Sequence, residues 1–88
     1  MEPERTYQVE LSKKAEKTLA KLPRKDINRI KTAIDKLAFE PRPPGAKKLV
    51  GRDDFRIRVG IYRVIYNIKD NLLLIEVVAI GHRRDIYR

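Results

Sequence analysis

Tyr7, Val9 and Leu11 alternate with Gln8 and Glu10, the two-residue period of a strand with one buried face. Ser12 then offers an N-cap. Ala15, Leu19 and Leu22 recur at helical spacing among charged neighbours, which predicts a short amphipathic helix ending at Pro23. Pro23 suits the first turn of a new helix better than a helix interior. Beyond it, Ile27, Ile30, Ile34, Leu37 and Ala38 form a 3-4-3 stripe that predicts a second, longer helix. From Glu40 to Ala46 the chain holds three prolines and a glycine, so the helix stops there and an extended connection follows. Phe55, Ile57 and Val59 then alternate with Arg56 and Arg58 as far as Gly60, and Tyr62 to Ile68 is rich in β-branched and aromatic residues. These two runs predict a hairpin. Lys69, Asp70 and Asn71 supply the next turn. Leu72 to Ile80 is apolar apart from Glu76, the composition of a central strand buried on both faces.

The predicted order is β-α-α-β-β-β. It reads as an α+β fold in which two N-terminal helices pack on one face of a small, mostly antiparallel sheet and leave the other face partly open. With 88 residues, the length suits a single domain spanning 1–88. No internal repeat interrupts it.

Charge changes the picture. Lys plus Arg number 21 against 12 Asp plus Glu, a formal net charge of +9, while 42% of residues are hydrophobic. A core-forming chain with that excess is expected to meet a polyanion. The absence of Cys excludes a thiol nucleophile, a disulfide framework and a thiolate metal site. A single His cannot supply the multi-His ligand sets of most catalytic zinc sites, so neither a metal nor another cofactor is expected. The charged segment Met1 to Thr6 resembles no signal peptide, and no run approaches the roughly 18 apolar residues of a spanning helix. The expectation is a cytoplasmic protein with no membrane partner.

The cations are distributed unevenly by type. Through Pro44 the chain carries seven Lys and four Arg, and after it three Lys and seven Arg. Lysines on helix faces serve as solvated surface and as i,i+4 partners. Arginines on strands differ. Arg56 and Arg58 project to one side because the side-chain period is two, and Arg63 follows after the hairpin turn, so all three can share the face opposite Phe55, Ile57 and Val59. Planar guanidiniums clustered in this way suit phosphate. The bland alternative is cross-strand pairing with acids, for which this half of the chain offers Asp53, Asp54, Asp70, Glu76 and Asp85. The C-terminal octet adds His82, Arg83, Arg84, Tyr87 and Arg88: a titratable ring, cations and an aromatic ring able to stack on a base, or a frayed basic tail.

The runs Lys48-Leu49-Val50-Gly51, Phe55-Arg56-Ile57-Arg58-Val59-Gly60, Tyr62-Arg63-Val64-Ile65-Tyr66 and Ile80-Gly81-His82-Arg83, with Ile86-Tyr87, resemble the RelE toxin family of bacterial and archaeal toxin–antitoxin pairs, within the RelE/ParE superfamily. Leu19-Ala20-Lys21-Leu22-Pro23 and the helix after it match as well, so the resemblance covers nearly the whole chain. It implies a ribosome-dependent endoribonuclease that cuts mRNA in the A site without a metal, by attack of the ribose 2′-hydroxyl on the adjacent phosphate. It also implies a cognate acidic, RelB-like antitoxin that holds the toxin inactive, contacts with the ribosome and its rRNA, and contact with operator DNA only through the antitoxin. On physical grounds, grooves beside the amphipathic helical pair suit a partner helix, and an acidic partner docked there would mask the arginines.

The resemblance assigns roles to matching positions. Arg63 corresponds to the arginine that stabilises transition-state charge, Arg83 to the one that acts on the leaving group, and Tyr87 to the tyrosine that stacks on or orients mRNA. Lys47, Lys48, Arg56 and Arg84 are expected to bind the RNA backbone. Arg56 and Arg58 stand where the best-known members carry lysines, one of them discussed as the general base. Arginine stays protonated and is a poor base. Either Arg58 acts only electrostatically or another group, with His82 as the candidate, handles the proton. The more ordinary reading of His82 is a structural or substrate-orienting group. The competing functions are a ParE-like inhibitor of DNA gyrase without nuclease activity, and an inactive relative that only binds nucleic acid.

Overall fold

The structure, a computed structural model, describes residues 6–82. Strand β1 (Gln8–Leu11) leads into helix α1 (Lys13–Ala20), helix α2 (Arg24–Leu37), and strands β2 (Lys47–Lys48), β3 (Asp54–Val59), β4 (Tyr62–Lys69) and β5 (Leu74–His82). The Ser12 hydroxyl oxygen accepts the Ala15 amide at 3.0 Å and caps α1, while the hydroxyl donates to the Val78 carbonyl on β5. One side chain thus starts the helix and seats it on the sheet. Helix α1 ends at Ala20, earlier than its apolar spacing suggests, because the Lys21 and Leu22 amides turn back to Thr18 and Leu19. Pro23 caps α2 through its carbonyl, which accepts the Asp26 and Ile27 amides.

The sheet order is β1-β5-β4-β3-β2. Strand β1 runs parallel to β5, and the other three pairings are antiparallel. Two helices against a mixed five-stranded sheet make the fold α+β, as expected. Strand β5 is interior, flanked by β1 and β4, but the middle position belongs to β4. Strand β2 was not expected: it has two residues, both exposed lysines, and only its pairing with Phe55 and Arg56 defines it.

The core lies between the helices and one face of the sheet. Ala15, Leu19, Ile30, Ile34 and Leu37 meet Ile57, Val64, Tyr66, Ile75, Val77 and Ile80. The three-residue step from Val77 to Ile80 breaks strand alternation. Ile65 pairs with Ala79, but the next residue, Tyr66, pairs with Val77, so Val78 is the extra residue of a β-bulge. The bulge turns both Val77 and Ile80 inward, and this explains the unbroken apolar run. Only that face of β5 is fully buried; Leu74, Glu76, Val78 and Ala79 are half-buried, which corrects the expectation of burial on both sides. The strand also begins two residues later than expected, after a 3-10 turn at Asp70–Leu72 and a left-handed Leu73 (φ 49°).

The proline-rich connection is strapped to the sheet. The buried Tyr66 hydroxyl donates to the Pro41 carbonyl at 2.7 Å. The Arg42 guanidinium lies 5.6 Å from the centre of the Phe55 ring and bonds the Asp70 carboxylate at 2.9 Å. Tyr7 donates its hydroxyl to the same carboxylate at 2.6 Å. The face away from the helices is not open along its whole width, since Ile65, at the centre of that face on β4, is only 1% exposed.

Candidate nucleic-acid interface on the arginine face

Register decides which cations meet. Arg58 is the direct partner of Arg63, Arg56 of Ile65, and Lys47 of Arg56. Paired residues on adjacent strands share a face, so Arg56, Arg58, Arg63 and Lys47 occupy the side of the sheet away from the helices. Phe55, Ile57 and Val59 turn toward the core, as the alternation predicts. Opposed residues lie about 4.5–5.5 Å apart at Cα, which brings two like charges to facing positions at the end of the hairpin. On the other flank of Arg63 the partner is Gly81, a position with no side chain to crowd an approaching ligand.

Four acids of this half of the chain pair with cations other than Arg56 and Arg58. Asp54 pairs with Arg52, Asp53 with Lys48 at 3.8 Å, Asp70 with Arg42 and Glu76 with Lys69 at 3.7 Å. Arg56 and Arg58 form no ion pair among the described residues. The register also segregates charge along the face. Asp54, Asn67, Glu76 and Glu10 form one cross-strand row, two residues beyond the row of Arg56 and Ile65, and Arg58, Arg63 and Gly81 form the row at the other end. The described cations without an acid in their own row thus lie toward the hairpin end, which favours phosphate there.

The cations continue around the outer edge of β3. Lys36 on α2 joins Lys47, Arg56 and Arg58 around a groove of about 470 Å³ whose apolar lining includes Ala33, Leu37, Pro43 and Ile57. Lys36 was not among the residues picked from the sequence, and nothing in its local pattern separates it from the other lysines of α2. Only packing of the helix beside β3 brings it here.

Two expected residues fall apart from the cluster. Lys48 pairs with Phe55 and so takes the opposite side of the β2–β3 ladder from Lys47, with its ammonium near Asp53. His82 pairs with Tyr62, on the helix side of the sheet, away from Arg58 and Arg63. Register thus sets its side chain on the other face from the arginines that it was expected to assist. The cause is the Val78 bulge: alternation counted from Ile75 without it would place His82 on the arginine face. Arg83, Arg84 and Tyr87 lie outside the described residues.

On the helix side of the same hairpin end, the Tyr62 hydroxyl donates to the Asp26 carboxylate at 3.0 Å. This bond, aided by partial burial, raises the Tyr62 pKa above the usual tyrosine value. The Arg29 guanidinium sits over Gly60 in the turn, 3.7 Å from where a Cβ would lie. These contacts join residues far apart in sequence and escaped the sequence reading.

Residues 9–87 match the family described as the ParE toxin of type II toxin–antitoxin systems, parDE. The chain belongs to this family. It is a toxin of the RelE/ParE superfamily, and its α+β fold is the one seen in solved RelE structures. The archaeal RelE–RelB complex from Pyrococcus horikoshii contains a chain 30% identical, with a TM-score of 0.78 over 91% of this toxin and 98% of that chain. The toxin–antitoxin complex RelBE2 from Mycobacterium tuberculosis gives 27% identity and a TM-score of 0.79, covering 89% and 99%. The intact RelBE complex of E. coli, at 24% identity and a TM-score of 0.77 over 86% and 95%, shares the fold. A search of curated proteins finds no match to this sequence. Among the described residues, no helix of the toxin is long and apolar enough to cross a membrane.

Proposed function

We propose that this toxin is a ribosome-dependent endoribonuclease that cuts mRNA in the A site. The observation that carries the reading is the Arg58–Arg63 pair, opposed on adjacent strands beside Gly81. In the proposed reaction the ribose 2′-oxygen attacks the adjacent phosphorus and the bond to the 5′-oxygen breaks, leaving a cyclic phosphate on one fragment. The 2′-hydroxyl loses a proton and the departing oxygen gains one. Arg63 stabilises the equatorial oxygens as charge develops, since fixed donors in a partly desolvated site act most strongly on the transition state. Arg58 remains cationic and supplies charge, not basicity. Arg56 and Lys47 hold flanking phosphates. Arg83 and Tyr87 take the leaving-group and stacking roles that the family resemblance implies, and Arg84 adds a backbone contact.

With His82 set on the helix side by register, proton transfer is left to groups on the ribosome and the RNA. Alignment of the reacting atoms then provides much of the acceleration. Residues 1–88 act as one toxin domain in the cytoplasm. The partner is an acidic, RelB-like antitoxin that masks the arginines, and operator DNA is reached only through it. The RelB-containing complexes of the structural relatives support this pairing.

The second reading, inhibition of DNA gyrase, is favoured by the match to the ParE family model. Replacing Arg63 by Ala separates the two. On translated messages, a nuclease should lose cleavage by two orders of magnitude or so while ribosome binding falls only a few-fold. Equal losses in both would reduce Arg63 to an RNA-positioning contact and count against the nuclease.

A further inference from the structure

The hairpin that carries Arg58 and Arg63 closes through only Gly60 and Ile61, with Val59 opposite Tyr62. Two like charges occupy facing positions at this end, and Gly60 holds a left-handed conformation (φ 63°). Strand pairing alone does not fix the end against α2. The bond that does so comes from the reverse face, the Tyr62 hydroxyl on Asp26 of α2, with the Arg29 guanidinium of the same helix lying over Gly60. Tyr62 precedes Arg63 in the chain, so its side chain anchors the core side of the strand one residue from where Arg63 leaves on the other.

We infer that Asp26 and Tyr62 are positioning residues that set the Arg58–Arg63 pair through the sheet. The inference rests on the nuclease reading for its effect on turnover, but the geometry it invokes belongs to the free toxin. Electrostatic capture of RNA changes little when the pair loosens, because charge acts over several ångströms. Turnover is more sensitive to placement at the reacting phosphate. The signature is a loss in kcat with KM nearly unchanged.

The test compares Tyr62→Phe with Tyr7→Phe. Each removes one phenolic hydroxyl bonded to a carboxylate, but Tyr7 bonds Asp70 at the far end of the sheet. On translated messages, Tyr62→Phe should lower kcat about tenfold with KM within twofold, while Tyr7→Phe leaves both within twofold. Asp26→Asn keeps an oxygen acceptor for the Tyr62 hydroxyl and should restore most of the rate that Asp26→Ala loses. Side-chain Nε–H resonances of Arg58 and Arg63 in the labelled full chain, with and without inorganic phosphate, give a readout independent of cleavage. Tyr62→Phe should shift both signals and weaken their phosphate response, and Tyr7→Phe should not. Equal losses of rate in the two Phe variants, or unmoved arginine resonances in Tyr62→Phe, overturn the inference. A wild-type toxin that cleaves nothing refutes the nuclease reading instead, and the resonances then decide the positioning on their own.

Discussion

Arg58 stands directly across the β3–β4 hairpin from Arg63, and Arg58 forms no ion pair among the described residues. Like charges opposed in this way weaken a ladder, and an opposite pair strengthens it by roughly 0.2–1 kcal/mol. Arg58→Glu should therefore stabilise the fold, raising Tm by a few degrees for a chain of this size. The same change should lower RNA affinity and flatten its salt dependence. Thermal melts and salt-titrated binding of a short oligonucleotide check the two effects together.

Alkaline stability hangs on Tyr66. Burial pushes its pKa up to about 12, while the unfolded chain ionises near the ordinary tyrosine value of 10.0. Because the folded pKa is the higher one, the stabilising contribution is complete below pH 10 and is lost as pH rises toward 12. Two units correspond to roughly 2–3 kcal/mol. Tyr66→Phe should cost about 1–2 kcal/mol at neutral pH, by leaving the Pro41 carbonyl without its donor, and should remove the Tyr66 share of the alkaline decline. Urea midpoints between pH 8 and 12 measure both.

At the acid end the group to watch is Asp70. Its pKa lies below the usual aspartate value because Arg42, and then Tyr7, hydrogen-bond the carboxylate. A depressed folded value means that the contribution is present above the ordinary pKa and disappears as pH falls through the folded one. Both side chains of the Arg42–Asp70 pair are about half exposed, so salt screens it and the effect is small. Asp70→Asn should have a shallower loss of stability between pH 4 and 2 than the wild type, most clearly at low ionic strength.

Gly60 and Gly51 both adopt left-handed backbone (φ 63° and 73°). Replacing either by Ala should cost about 1–2 kcal/mol, although a Cβ at Gly51 would meet nothing within 4 Å and one at Gly60 would meet only the Arg29 side chain. Asn should be tolerated better than Ala at both, because it reaches this region more readily. Melts of the four variants decide the matter.

The apolar periodicities of both helices and of β1, β3 and β4 could be read from the order of residues alone, because burying one face imposes a period that side chains must follow. Strand β2 could not: Lys47 and Lys48 carry no apolar signal and are a strand only by virtue of their partners. The arginine face followed from alternation at Arg56 and Arg58 across a two-residue turn. The side taken by His82 did not, since one bulged residue, Val78, inverts all positions after it, and an unbroken apolar run gives no sign of where alternation slips. The Asp26–Tyr62 bond spans 36 residues and Lys36 meets Lys47 only through helix packing. Such contacts belong to the tertiary arrangement and leave no local trace.

The most direct measurement maps breaks in a defined message by primer extension in a purified translation system, with and without ribosomes, beside a gyrase supercoiling assay. Cuts are expected within codons of the translated message, none on the same RNA when ribosomes are omitted, and no effect on gyrase. An intact message alongside stalled gyrase complexes would contradict it and assign the toxin to the gyrase-inhibiting branch of its superfamily.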